Sequence, residues 1–375
     1  MRIAVIGGGP AGLYFATLWK KRHPGDEVLL YEQNPAGATW GFGVVFSEKA
    51  LEFLRADDPD TYDLITPAME HWRDITLVHR GETIRIDGIG FSAIGRLALL
   101  QLLQARVRAV GVKPQFEHAV RSLTELGDVD LIVGADGLNS LVRAGREKEL
   151  GTSLTYLHNK FAWYGTTQRF DSLTLTFVRT AEGTFTAHHY RYSNAMSTFI
   201  VETDRATWDA VGFATMSPED TKAYCERAFE GTLKGHPLVS NNTFWRNFPQ
   251  LSSERWSIGN AVLVGDALHT AHFSIGSGTR LAMEDVVALV KALEAEPGSV
   301  QKALALYQAT RGPVLAKLVT AANASADWHE HFRDRMELSP RDFAMNYITR
   351  SGRVDLARLR EMAPRFMDWY EKTAP

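Results

Sequence analysis

Three glycines, Gly7-x-Gly9-x-x-Gly12, stand between a short apolar run, Arg2 to Ile6, and a helical stretch, Ala11 to Arg22. That setting gives each glycine a task. Gly7 permits a tight turn, Gly9 lets a pyrophosphate approach the backbone, and Gly12 lets helix and sheet pack closely. Pro10 and Ala11 open the helix, whose free N–H groups can receive phosphate oxygens. Glu32, with Gln33 beside it, follows Gly12 by 20 residues and ends a second strand, Glu27 to Tyr31. A carboxylate there accepts hydrogen bonds from a ribose diol and disfavours a 2′-phosphate.

Two further acidic corners follow. Val133-Gly134-Ala135-Asp136-Gly137 leads to Ser140 and Arg143. Val264-Gly265-Asp266 leads through His269 to Gly276-Ser277-Gly278 and Glu284-Asp285. Asp136 and Asp266 each sit at a strand's end, where they can hold hydroxyls of an extended ligand. Gly276 and Gly278 precede a helix, whose N–H groups would stabilise negative charge on a reduced flavin ring. The order and spacing of the three motifs point to FAD. His269 is expected near it or as a structural residue.

The candidate chemistry toward a substrate lies elsewhere. His188 and Tyr190 alternate on one strand and so face the same side. An imidazole titrating near neutrality can bind or deprotonate a substrate hydroxyl. His188 and Tyr190 are therefore catalytic candidates, and His272 is a rival; each also reads as an ordinary strand or loop residue. Trp163, Tyr164 and Phe199 are candidate walls of an aromatic substrate pocket, with plain core as the alternative reading.

These residues need a framework of two kinds. Strands at Arg2 to Ile6, Glu27 to Tyr31, Asp130 to Val133 and Ala261 to Val264 read as buried and parallel. Helical spacing spans Gly95 to Val110, Gly278 to Leu293 and Leu304 to Ala322. Between about Leu154 and Trp256 the pattern alternates and becomes aromatic, with strands at Phe161 to Gly165, Leu173 to Arg179, Thr184 to Tyr190 and Met196 to Glu202. Arg80-Gly81-Glu82 joins Ile75 to His79 and Thr83 to Asp87 in a hairpin outside the parallel sheet. The fold class is thus α/β: a discontinuous Rossmann-like FAD-binding domain (1–70, 92–153 and 257–324), an inserted β-rich substrate domain (71–91 and 154–256), and C-terminal helices (325–375). Trp328, Phe332, Met336, Phe343, Tyr347 and Leu359 would pack those helices on the FAD domain or form a homodimer face.

Composition narrows the classes. The chain has 375 residues, 45% of them hydrophobic, and a formal net charge of -3. That balance argues against nucleic acid as a partner and against a disordered chain. One cysteine, Cys225, allows no intramolecular disulfide and no cysteine-rich zinc cluster, so no metal is expected. Glycines break the uncharged run Ile3 to Trp19, so no membrane span is expected. The start reads as a mature strand rather than a leader, and the expected location is cytoplasmic.

Gly7, Gly9, Gly12, Glu32, Gly134-Ala135-Asp136-Gly137 and Gly265-Asp266 match the motifs of the group A flavoprotein monooxygenases, the para-hydroxybenzoate hydroxylase family, which this chain resembles from Arg2 to about Leu293. The resemblance implies that Arg96 lies near the FAD pyrophosphate and ribityl chain; Val44 and Val45, after Trp40-Gly41-Phe42-Gly43, read either as neighbours of the flavin ring or as ordinary packing, and Val45 and Val120 are counted in the cofactor-binding set. The family usually has proline before the glycine loop, where His272-Phe273-Ser274-Ile275 stands here.

Asn159-Lys160-x-x-Trp163-Tyr164-Gly165-Thr166, Met196 to Glu202 and Ala271 to Gly278 look like the aryl-CoA branch. That branch includes salicylyl-CoA 5-hydroxylases and anthraniloyl-CoA monooxygenases, and violacein-pathway hydroxylation shares much of the pattern. The resemblance implies an aromatic hydroxylase using NADH or NADPH and O2, transferring oxygen from a flavin C4a-hydroperoxide to an aryl-CoA thioester. Lys160, Arg169, Arg179, Arg191 and Arg246 are the cations available to CoA, Lys160 among the substrate-binding candidates. No reductase-like barrel follows within the chain, so plain hydroxylation is expected. Alternatives are a hydroxylase of a free indole or phenolic metabolite, a non-catalytic flavoprotein, and a flavin halogenase, whose Trp-x-Trp-x-Ile-Pro signature is absent.

Overall fold

A computed structural model describes residues 1–47 and 51–373. The apolar runs form a five-stranded sheet in the order Ser257–Ile258, Ala261–Leu263, Leu131–Gly134, Arg2–Ile6, Glu27–Tyr31. The last four strands are parallel, with Val262 opposite Val133, Ile3 opposite Leu131, and Ile3 opposite Val28. Both faces are covered, which suits their unbroken apolar character. Helices Pro10–Arg22 and Gly278–Ala295 bury Leu13, Phe15, Leu281, Val286 and Leu289 against them. Parallel strands end on one edge, so Gly7, Glu32, Asp136 and Asp266 come to a single rim.

A second, mainly antiparallel sheet has eight strands. Its central path runs Leu238–Val239, Thr152–Thr166, Ser197–Thr203, Thr184–Arg191, Leu173–Arg179, Ile75–His79, Glu82–Ile86, and Arg246–Ser253 also pairs with the long strand Thr152–Thr166. The hairpin joins by parallel pairing, Leu77 opposite Leu175. A small sheet of Gly43–Ser47, Phe91–Gly95 and Glu70–Trp72 connects the two larger ones. The expected boundaries at 91/92 and 153/154 fall inside strands, and 324/325 falls inside helix Val300–Glu330.

Alternation gives the second sheet two different faces. One carries Tyr164, Phe185, Ala187, Phe199 and Val201 into a core with Phe213, Cys225 and Phe229 of the helical cover. The other carries Phe161, Trp163, His188, Tyr190, Thr198 and Glu202, by the registers Trp163 to Ile200, His188 to Ile200 and Tyr190 to Thr198. This second face meets the loop Gly41 to Gly43: the Gly43 N–H donates to Thr198 Oγ1 at 2.8 Å, and Tyr190 donates to the Gly43 carbonyl at 3.0 Å. Gly165 is required here, because a Cβ would come within 2.5 Å of the Phe42 ring.

The C-terminal helices do not lie where expected. Trp328, Phe332, Met336, Phe343, Tyr347 and Leu359 pack on Ile75, Leu77, Leu175 and Phe177 of the second sheet. Their apolar surfaces are buried against the hairpin rather than against the FAD domain or on an open face. Among the described residues, no helix is long and apolar enough to cross a membrane.

Candidate active site

The rim of the parallel sheet is built for a dinucleotide. Gly7 has φ 106°, and a Cβ there would meet the Ala135 carbonyl oxygen at 2.2 Å. A Cβ on Gly12 would lie 1.9 Å from the Gly7 oxygen, whereas nothing lies within 4 Å of one on Gly9. Gly7 and Gly12 are thus fixed by packing, and Gly9 faces open space. Helix Pro10–Arg22 begins with no side-chain cap and no acid in its first turn, leaving its N–H groups and dipole for an anion. Glu32 is held in place: Oε2 accepts from the Gly8 N–H at 2.7 Å, and Oε1 from the Asn34 backbone N–H at 2.7 Å. Oε1 also accepts from Asn34 Nδ2 at 2.8 Å, so Oε2 is the oxygen with acceptor capacity left for a ribose.

The other two acids have distinct settings. Asp136 Oδ2 accepts from the Leu141 N–H at 2.7 Å, while Oδ1 is buried without a partner. Burial pushes this carboxyl above its ordinary range. Asp266 opens onto the groove, yet protein surrounds it closely enough that desolvation raises its pKa against the pull of His269 and Arg96. His269 supports the turn instead: its Nε2 lies 2.7 Å from Asp285 Oδ2, which also accepts from the Gly265 N–H at 3.2 Å. Arg311 completes this buried group at 2.8 Å from Asp285 Oδ1.

The Arg96 guanidinium has no hydrogen-bond or carboxylate partner among the described residues, and its central carbon sits 5.9 Å from the Trp163 ring centre. Burial lowers its pKa, which Asp266 and Tyr190 oppose. An unpaired cation beside the groove fits a pyrophosphate. Farther along, Gly276 adopts φ 59°, and a Cβ there would meet Val45 Cγ1 at 2.7 Å. Helix Gly278–Ala295 starts with no side-chain cap and no first-turn acid. The open glycine, free helix starts, unpaired arginine and orphaned Asp136 oxygen together fit FAD. Gln33 is exposed beside Glu32, and Val120 packs on the edge of the core near that strand.

Next to the glycine loop the sheet face carries a polar cluster. His188 Nε2 is 3.5 Å and His329 Nδ1 is 3.6 Å from Glu202 Oε2. These are approaches at the limit of hydrogen bonding, and all three atoms are buried and unpartnered. Asn159 fixes the other oxygen, donating to Glu202 Oε1 at 3.0 Å and to the His329 carbonyl at 2.7 Å. Burial would raise the Glu202 carboxyl; His188, His272 and Asn159 outweigh it and hold it below the usual range. Burial depresses His329 strongly and pushes His272 down to about 4 despite the pull of Glu202. Phe273 of the flavin-side loop lies 5.3 Å from His188 and 5.0 Å from Phe161, ring to ring. Chemically, this is an anionic carboxylate among imidazoles in a dry place, able to receive a proton.

The structure brings His188 and His272 into this cluster and Trp163 to the groove. It places Tyr164 and Phe199 on the reverse face, inside the helical cover, so they cannot wall a pocket that opens on the flavin groove. The Tyr190 hydroxyl is engaged by Gly43, and Lys160 donates to Asn247 Oδ1 at 2.6 Å. Sequence reading missed Glu202 and His329 as members of the site. The strand pattern through Glu202 put it on the His188 face and was a usable signal; nothing local marked His329.

The comparisons extend this geometry. A family model described as FAD binding domain matches residues 1–322. The chain is 44% identical over 361 residues to salicyloyl-CoA 5-hydroxylase of a Streptomyces species, covering 94% of this chain and 70% of that protein. It is 36% identical over 355 residues to 3-hydroxy-4-methyl-anthranilyl-[aryl-carrier protein] 5-monooxygenase of Streptosporangium sibiricum, covering 94% and 95%. Protodeoxyviolaceinate monooxygenase of Chromobacterium violaceum is 36% identical over 361 residues, covering 93% and 94%. Among solved structures, Pseudomonas aeruginosa PqsL in complex with 2-aminobenzoylacetate superposes with a TM-score of 0.70 at 20% identity, covering 90% of this chain and 98% of that one.

Proposed function

This chain belongs to the FAD-dependent aromatic monooxygenases, and from that premise we propose that it hydroxylates an electron-rich arene carried as a thioester, salicyloyl-CoA or a close relative. The observation that carries the substrate class is the 44% identity to salicyloyl-CoA 5-hydroxylase, sustained across 94% of the chain. In such a ring the 5-position is para to the hydroxyl, which feeds it electron density.

Bound FAD supplies the oxygen-transfer chemistry, with electrons from NADH or NADPH and oxygen from O2. The protein's residues bind, orient and handle protons. Gly7, Gly9 and Gly12 shape the phosphate turn and Glu32 holds the adenosine ribose; Arg96 meets the pyrophosphate. Val45 and the glycines 276 and 278 receive the flavin ring. His188 takes the substrate's hydroxyl proton at Nδ1, its Nε2 being turned to Glu202, leaving the electron pair on the phenolic oxygen. Glu202, steadied by Asn159, balances the charge so formed. Tyr190 fixes the loop at Gly43, and Phe161 with Phe273 keeps water out, which favours transfer over peroxide loss.

The test is a titration of purified holoenzyme with salicyloyl-CoA, free salicylate and tryptophan, following NADH oxidation and product mass. The expected result is stimulation by the thioester, with a product heavier by one oxygen. Stimulation by a free arene alone would replace the substrate class.

A further inference from the structure

Between the second sheet and the loop before Gly43 lies a cavity of about 270 Å³, lined by Trp40, Gly41, Trp163, Asn241 to Phe244, and Arg246. It is built rather than accidental. Asn241 Nδ2 donates to the Gly41 carbonyl at 3.0 Å, and Thr243 Oγ1 to the Trp163 carbonyl at 2.6 Å, tying the two walls together. Two polar atoms in this lining, Arg246 Nε and Trp163 Nε1, are buried without partners. Trp40 and Phe244 flank the opening and are unusually exposed for aromatic residues, at 54% and 57%. The inner wall, Trp163 and Gly41, touches Arg96, whose Cδ would lie 3.5 Å from a Cβ at Gly41.

We propose that this cavity is the port for the phosphopantetheine arm of the aryl thioester, with Arg246 on the arm's phosphate and Trp40 and Phe244 beside the chain. This rests on the thioester reading above. Arg246 is singled out from the available cations. Arg179 pairs with Glu337 at 2.7 Å, Arg191 with Glu70 at 2.6 Å, Lys160 is bonded to Asn247, and Arg169 is exposed and outside the lining of this cavity. Arg246 has no carboxylate among the described residues and lies 5.0 Å from the Phe161 ring and 5.4 Å from the Phe244 ring. Its burial and the like charge of Arg96 both depress its pKa, a strain that an anion would relieve. The volume is below the roughly 300–1,000 Å³ that encloses a drug-sized ligand, so it suits a slender arm rather than a fused ring system. The arm is common to the two substrates named for the relatives, one on CoA and one on an aryl-carrier protein.

The experiment compares salicyloyl-CoA, salicyloyl loaded on a phosphopantetheinylated carrier protein, and salicyloyl-N-acetylcysteamine, which lacks the phosphate. The readout is the ratio of kcat/KM for each full-length thioester to that for the truncated one, in the holoenzyme and in Arg246→Gln and Arg246→Lys. The expected result is a ratio reduced about tenfold or more in Arg246→Gln and partly restored in Arg246→Lys. Which full-length donor has the higher ratio identifies the carrier. An unchanged ratio, or loss of bound FAD in Arg246→Gln, would overturn the port. So would a rise in the KM for NADH alone. Turnover of the truncated thioester with an unchanged ratio would keep the thioester reading and remove only the port. Turnover of free arenes alone would remove both.

Discussion

Glu202 is the residue on which the proton-handling account turns. It is buried, anionic and flanked by imidazoles, and it raises the proton affinity of His272 against burial. Glu202→Gln keeps the shape and removes the charge. Its kcat is expected to fall at least about tenfold, and the acidic limb of its pH–rate profile to move to lower pH, because the counter-charge that favours imidazole protonation is gone. A fall in kcat with the limb unmoved would make Glu202 structural only. Gly12 tests the cofactor end. A side chain there strikes the Gly7 carbonyl, so Gly12→Val should weaken FAD retention by about 10–100-fold, read by flavin absorbance after reconstitution. Undiminished retention would contradict the packing argument. The glycines, Glu32, Asp136 and Asp266 were legible because each local spacing implies a backbone task. His329 was not, because only tertiary packing brings it to Glu202.

Elements carry the next layer. The start of helix Gly278–Ala295 has neither side-chain cap nor acid, so its dipole is free to favour the reduced flavin. Ser277→Asp would place a negative charge there. The flavin potential should become more negative by about 5–20 mV, from a helix-end charge effect of 0.3–1 kcal/mol on a two-electron couple. Spectroelectrochemical titration reads this, and an unchanged potential would remove the helix from the account. The parallel strands were legible from their apolar runs, and the bounds Arg2–Ile6, Glu27–Tyr31 and Leu173–Arg179 agree with that reading. The long strand Thr152–Thr166 was seen only at its apolar end, since its exposed half lacks alternation. Tyr164 and Phe199 show the deeper limit. A period of two says which residues share a face, but not which face meets the cofactor; that was decided by the helices packed over Phe213, Cys225 and Phe229.

At the scale of the molecule, the FAD-side loops and the C-terminal helices cover one face of the second sheet together, and they bury histidines in the process. Burial there lowers the pKa of His272 to about 4 and depresses His329 strongly, and on the reverse face, between Phe170 and Phe199, burial lowers His189 to about 3. The unfolded chain therefore binds more protons than the folded one below about pH 6.5. Stability should be fully present above that pH and fall as pH drops through 4 toward 3. Thermal melts across this window check it, and His189→Phe, which substitutes a ring between Phe170 and Phe199, should flatten the dependence. A pH-independent melting temperature would contradict it. The central claim is that the groove and the sheet face form one oxygen-transfer site. Single-turnover and steady-state assays with isotopically labelled O2, NADH and salicyloyl-CoA test it most directly. One labelled oxygen is expected in each product molecule, with NADH oxidation coupled to it. Peroxide as the sole fate of that oxygen, with no arene or aryl thioester labelled, would contradict it.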